Sequence, residues 1–118
     1  MATEKAKPQD FNFVVLEAFD ETITELLGAS VLTALSAGLL KDYDVSREEL
    51  PNQFDTVRIV LTDVLGVGNS RTILRRVMRR LYRKLGLPFS FTKDADYPPN
   101  FYLQQAKQQL VNRTSEGI

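Results

Sequence analysis

The chain of 118 residues has no cysteine, no histidine and no tryptophan, and it has only five prolines. Without cysteine there are no disulfides, and without cysteine or histidine the common zinc ligand sets are gone. Ser-His-Asp and Cys-His triads are excluded, as is imidazole acid-base chemistry at neutral pH. An enzyme built from the remaining residues would need converging carboxylates, a lysine in an apolar setting that lowers its pKa, or a phosphate loop. No apolar run approaches the roughly 20 residues that cross a bilayer. The stretch Met1 to Asp10 is polar and lacks the apolar core of a secretory signal. These absences predict a soluble, cytoplasmic chain that does not engage a membrane.

What is present is ordinary for one globular domain: 43% hydrophobic and 25% charged residues. The net charge is zero but unevenly spread. Residues 1–50 hold four Lys/Arg and ten Asp/Glu, and residues 51–118 hold eleven and five. Halves of −6 and +6 favour pairing, within one chain or between two.

Apolar spacing along the chain is helical throughout, and the fold expected is all-α, a compact bundle of four to five helices. Residues 1–9 read as a disordered tail, residues 10–91 as the bundle, and residues 92–118 as a linker with a weak final helix. Asp10 is placed to cap a first helix whose stripe is Val15, Leu16, Phe19, Ile23, Leu26 and Leu27, with Gly28 as a left-handed stop. Ser30 is expected to cap a second helix ending near Tyr43, with Val31, Leu32, Leu35, Leu39, Leu40 and Tyr43 inward. Ala34 and Gly38 are small and four apart, which would let a neighbouring helix approach. Ser46 and Glu49 have capping-box spacing before Leu50 and Pro51. A third helix over residues 52–65 would bury Phe54, Val57, Val60, Leu61 and Val64. Asn69 or Ser70 would cap a fourth, reaching Leu85 with Ile73, Leu74, Val77, Met78, Leu81, Tyr82 and Leu85 inward. Gly86-Leu87-Pro88 is a strong stop. Phe89, Ser90 and Phe91 alternate like a short extended piece. The final helix, over residues 101–112, would set Leu103, Ala106 and Leu110 on one side, and could dock onto a neighbouring chain.

Three motifs fail as sites. Asp42-x-Asp44-x-Ser46-x-Glu48 opens like a calcium loop, but the sixth and twelfth positions hold Arg47 and Gln53 where glycine and glutamate are needed. Gly66-Val67-Gly68-Asn69-Ser70 has neither the spacing nor the lysine of a phosphate loop, and a helix rather than a strand precedes it. Asn112-Arg113-Thr114 is a glycosylation sequon in a chain without an export signal. No catalytic, cofactor-binding or metal-binding residue emerges, and no cofactor is expected.

The sharpest feature is basic. Arg71, Arg75, Arg76, Arg79, Arg80, Arg83 and Lys84 place seven cations in fourteen residues with no acid among them. Like charges four apart on a helix repel by a few tenths of a kcal/mol per pair, roughly. Three partners could offset that repulsion. One is the acidic face of the first helix, Glu17, Asp20, Glu21 and Glu25, in the same chain or a neighbour. The second is nucleic-acid phosphate, with the short turn between the third and fourth helices loosely resembling a helix-turn-helix. The third, an anionic membrane, is disfavoured because the opposite face is committed to a core.

Across residues 12–91 the order of features is similar to a known family. Leu27-Gly28-x-Ser30-Val31 opens a helix, and Asp44-Val45-Ser46-Arg47-Glu48-Glu49-Leu50-Pro51 forms a connection. Val64-Leu65-Gly66-Val67-Gly68 makes a turn, and Leu81-Tyr82-x-Lys84-Leu85-Gly86-Leu87-x-Phe89 ends the last helix. This resembles small archaeal helical domains of the Nitrosopumilus output-domain type. The resemblance covers about two thirds of the chain. It implies an archaeal cytosolic domain, a signalling output or regulatory module, and brings no catalytic residues. The function expected is therefore a non-enzymatic regulatory or protein-interaction module that self-associates, with nucleic-acid binding through residues 71–84 as the alternative.

Overall fold

The computed structural model describes residues 8–89 and 98–116, with side chains described for residues 11–89 and 98–112. It is all-helical: α1 spans Pro8–Leu27, α2 Ala29–Tyr43, α3 Phe54–Leu65, α4 Val67–Leu85 and α5 Pro99–Glu116. A single 3-10 turn, Leu50–Asn52, precedes α3. The five helices form one compact bundle with no strand among the described residues.

The bundle is organised around α1 and α4, which lie against each other and bury the longest apolar stripes. From α1 come Phe11, Val15, Ala18, Phe19 and Ile23. From α4 come Ile73, Leu74, Val77, Met78, Leu81 and Tyr82, every expected core position except Leu85, which is half-buried. Phe54, Val57, Val60 and Leu61 close one side, with the Phe19 and Phe54 rings edge to face at 6.1 Å.

Two corners share one device. Gly28 and Gly66 are each the sole residue between two helices. The Gly28 N–H donates to Thr24 O at 3.0 Å to close α1, and its carbonyl accepts from Leu32 N at 3.2 Å to open α2. Gly66 does the same between Thr62 and Ser70. Their backbones lie at φ 101°, ψ 157° and φ 93°, ψ 161°, a region essentially reserved for glycine. The expected left-handed stop at Gly28 is thus corrected to this extended, positive-φ form. So are the caps. Ser30 makes no cap hydrogen bond to α2, which begins at Ala29. α4 begins at Val67, so Asn69 and Ser70 lie within it, and the Asn69 side chain donates back to Leu65 O at 2.9 Å. Asp10 lies inside α1, which starts two residues earlier at Pro8, a residue favoured in the first turn of a helix.

Elsewhere the turn chemistry is as expected. Gly86 is left-handed at φ 70°, with Leu87 N donating to Tyr82 O at 2.9 Å and Gly86 N to Arg83 O at 3.1 Å, the paired bonds of a Schellman stop. Ser46 and Glu49 bond reciprocally: Ser46 N donates to Glu49 Oε1 at 3.1 Å and Glu49 N to Ser46 Oγ at 3.3 Å.

Four expected core residues face solvent: Leu26 (38% exposed), Leu40 (56%), Tyr43 (41%) and Val64 (62%). α2 is the main departure. Its only buried side chains are Leu35 and Leu39. A Cβ placed on Gly38 would meet nothing within 4 Å, and Ala34 is exposed, so among the described residues no neighbour approaches there. α5 is longer than expected and packs on its own chain: Leu103 and Ala106 are buried, and the Tyr82 hydroxyl donates to Tyr102 O at 2.6 Å. The tail expected over residues 1–9 is corrected at Pro8 and Gln9, which belong to α1, while residues 1–7, the extended piece at Ser90 and Phe91 and the linker over residues 92–97 lie outside the described residues.

Candidate interaction surfaces

The seven cations of α4 do not share one face. At 100° per residue they fan over an arc wider than half the helix, because the apolar stripe takes the rest. One edge of the fan turns toward α1. There Arg80 pairs with Glu21 at 3.3 Å and with Glu25, and Lys84 Nζ donates to Glu17 and Glu21 at 3.1 Å each. The first of the three candidate partners is therefore present within the chain for two of the seven cations. Asp20, expected on the same acidic face, turns the other way and pairs with Arg47, whose guanidinium also donates to Ser36 Oγ at 3.1 Å.

The pairing leaves an electrostatic signature. The Lys84 ammonium beside Glu21 holds that carboxyl below its ordinary 4.5, against a smaller opposing effect of burial, with Arg80 adding to the lowering. Burial works against the charged form of Lys84, but its hydrogen bonds to Glu21 and Glu17 win, and its pKa rises above 10.5. Neither shift points to proton-transfer chemistry near neutral pH, since both groups keep their charges there.

The opposite edge of the fan borders a groove of about 340 Å³ between α3, α4 and the start of α5. Arg58 of α3 joins Arg71 and Arg75 there, over Met78, Phe89 and Tyr102. Deep in the same region the Thr62 hydroxyl donates to Ser70 Oγ at 3.1 Å, which keeps Ser70 hydrogen-bonded although it is buried. Arg71, Arg75 and Arg79 each make further contacts.

Between the two edges Arg76, Arg79 and Arg83 point outward and are exposed. With Arg80, Thr22, Glu25 and Leu26 they border a shallow cleft of about 210 Å³ where the end of α1 meets α4. Thr22 is buried and donates to Ala18 O at 2.8 Å. Among the described residues no carboxylate lies within ion-pair distance of Arg76 or Arg83.

A second surface goes beyond the sequence-based expectations. From Ala29 to Leu40 α2 carries no charged residue. Its exposed residues over that length are Ala29, Ser30, Thr33, Ala34, Ala37 and Leu40, with Lys41 next in the chain. The signal is present in the sequence as a charge-free run of twelve residues, which helical spacing alone assigns to a core.

Among the described residues no group of three or more acidic side chains could hold a metal ion, and no helix is long and apolar enough to cross a membrane. A scan against protein-family models matches no family, and searches of curated proteins and solved structures return no match.

Proposed function

We propose that this domain is a non-enzymatic interaction module that pairs with a second copy of itself through the outward face of α2. One observation carries the reading: a fifteen-residue surface helix buries only two of its side chains and keeps charge off its exposed face from Ala29 to Leu40. Charged groups resist desolvation, so a face without them is the one whose burial costs least. Small side chains on that face let helix axes approach to the close end of the usual packing range, about 8 Å. A second copy presents the same uncharged face, and a two-fold axis brings the two together without opposing a charge to either. Ile59, another exposed apolar residue, does not offer this, since it sits beside Arg58.

The absence of His and Cys supports a role without catalysis. The resemblance to archaeal output-type domains supports a regulatory module of the cytoplasm, one whose output is a change of partner. Light scattering over a concentration series tests the pairing. The parent chain should approach twice its chain mass as concentration rises, and Ala34→Glu with Ala37→Glu should hold it at one while unfolding as the parent monomer does in urea. A parent that stays at one chain mass at every concentration would reject self-pairing.

A further inference from the structure

We infer that α4 carries a site of its own, independent of pairing through α2: Arg76, Arg79 and Arg83 form a binding strip for the phosphate backbone of a nucleic acid. Three observations lead there.

The first is the division of charge on α4. The acids of α1 take Arg80 and Lys84 and reach no further round the helix. Arg76 and Arg83 are left in solvent without a carboxylate among the described residues, although they flank the same cleft as Glu25, which Arg80 engages.

The second is rigidity. α4 buries seven residues on its inner side, Ser70 included, and both of its ends are fixed by glycine stops. Arg76 and Arg83 therefore stand about 10 Å apart along a fixed axis, far enough to meet separate phosphates. An array held in place loses little entropy on binding compared with the same charges on a flexible tail.

The third is chemistry. The strip is arginine, whose planar fork matches phosphate oxygens two at a time, whereas lysine offers only a point charge. No large apolar side chain of α4 stands among the strip's outward positions, and Leu26 of α1 at the edge of the cleft is a single aliphatic group rather than the aromatic, fully desolvated anchor that dominates most protein interfaces. Insertion into a lipid surface would require the apolar face of α4, and that face is the core. What remains is binding driven by counterion release, the term that dominates sequence-independent contact with nucleic acid.

The experiment is fluorescence anisotropy of the full chain with a short labelled DNA duplex and a labelled mixed-sequence RNA strand, at salt from about 50 to about 200 mM. The expected result is affinity that falls steeply with salt. Arg76→Glu with Arg83→Glu should weaken binding about tenfold or more and flatten the log-log salt slope by about 2, one unit for each phosphate no longer neutralised. Arg76→Lys with Arg83→Lys should retain most of the slope. Thermal unfolding followed by circular dichroism should change little in either variant, because among the described residues neither has a carboxylate partner and the charge pairs four apart on α4 are worth only a few tenths of a kcal/mol each, roughly. Light scattering of the Glu variant should match the parent, which keeps this site distinct from pairing through α2. No binding of either probe at the lowest salt would overturn the inference. So would binding that the Glu substitutions leave intact, stronger binding to phosphatidylserine vesicles than to either probe, or equal competition by polyglutamate.

Discussion

Phe19 and Leu81 are fully buried, and they show what one side chain contributes here. Truncating either to alanine should destabilise the chain by roughly 2–5 kcal/mol in urea unfolding, through reduced burial and the cavity left behind. Glycine substitutions should divide by backbone conformation. Gly66→Ala forces a Cβ into a conformation that only glycine holds without strain, and should cost about 1–3 kcal/mol. Gly38→Ala sits inside α2 with open space around it, and should stabilise by about 0.5–1 kcal/mol. Both are read by thermal unfolding. Tyr82 adds a dependence on alkali. Burial pushes its phenol from 10.0 up to about 12, with Tyr102 nearby contributing. The folded state therefore holds the proton more tightly than the unfolded one. Stability from this group is complete below pH 10 and falls as pH rises towards about 12. Tyr82→Phe should remove that part of the alkaline loss, and should cost about 1 kcal/mol at neutral pH for the bond to Tyr102. At this scale most of the core is legible in the sequence, because α4 alternates apolar and charged residues so regularly that its period has one reading. The exposure of Leu40 and Tyr43 is not, because α2 is apolar nearly all round and its period does not say which side is in.

The pairing of α1 with α4 is the element-level link with the clearest test. Arg80–Glu25 and Lys84–Glu21 are partly exposed, so double-mutant cycles should give about 0.2–1 kcal/mol each, smaller in high salt. Their pH window follows from the two shifts. Glu21 is lowered in the fold, so its contribution is present above 4.5 and is lost as pH falls through the folded value. Lys84 is raised, so its contribution holds below 10.5 and is lost as pH climbs past the folded value. Urea midpoints across pH for the parent and for Glu21→Gln should differ at neutral pH and converge in acid. The sequence offers this pairing only as one of three partners for the basic helix. Spacing along a helix says which residues share an edge, but not which edge meets another helix 55 to 67 residues away. The caps are hidden for a different reason. A one-residue corner makes the glycine both the end of one helix and the start of the next, so Ser30, Asn69 and Ser70 have no cap position to fill.

At the scale of the whole molecule α5 belongs to the bundle. It buries Leu103 and Ala106, receives the Tyr82 hydrogen bond, and sets Lys107 over the Phe11 ring of α1 at 5.5 Å. Removing residues 98–118 should therefore lower the urea midpoint clearly, whereas a loose tail would leave it unchanged. The separation of charge along the chain has a consequence for synthesis. The half that leaves the ribosome first carries −6, and the cations that neutralise α1 are made about 60 residues later, on α4. Until then Glu17, Glu21 and Glu25 face water beside one another, and Phe19 and Ile23 have no α4 to pack on. A half of net charge −6 should be repelled by ribosomal RNA. The basic half emerges into a region where its opposite charge is already waiting on the same chain. N-terminal acid followed by C-terminal base thus means that α1 can gain these counter-charges only once α4 has been made, and gains them from the molecule that made it.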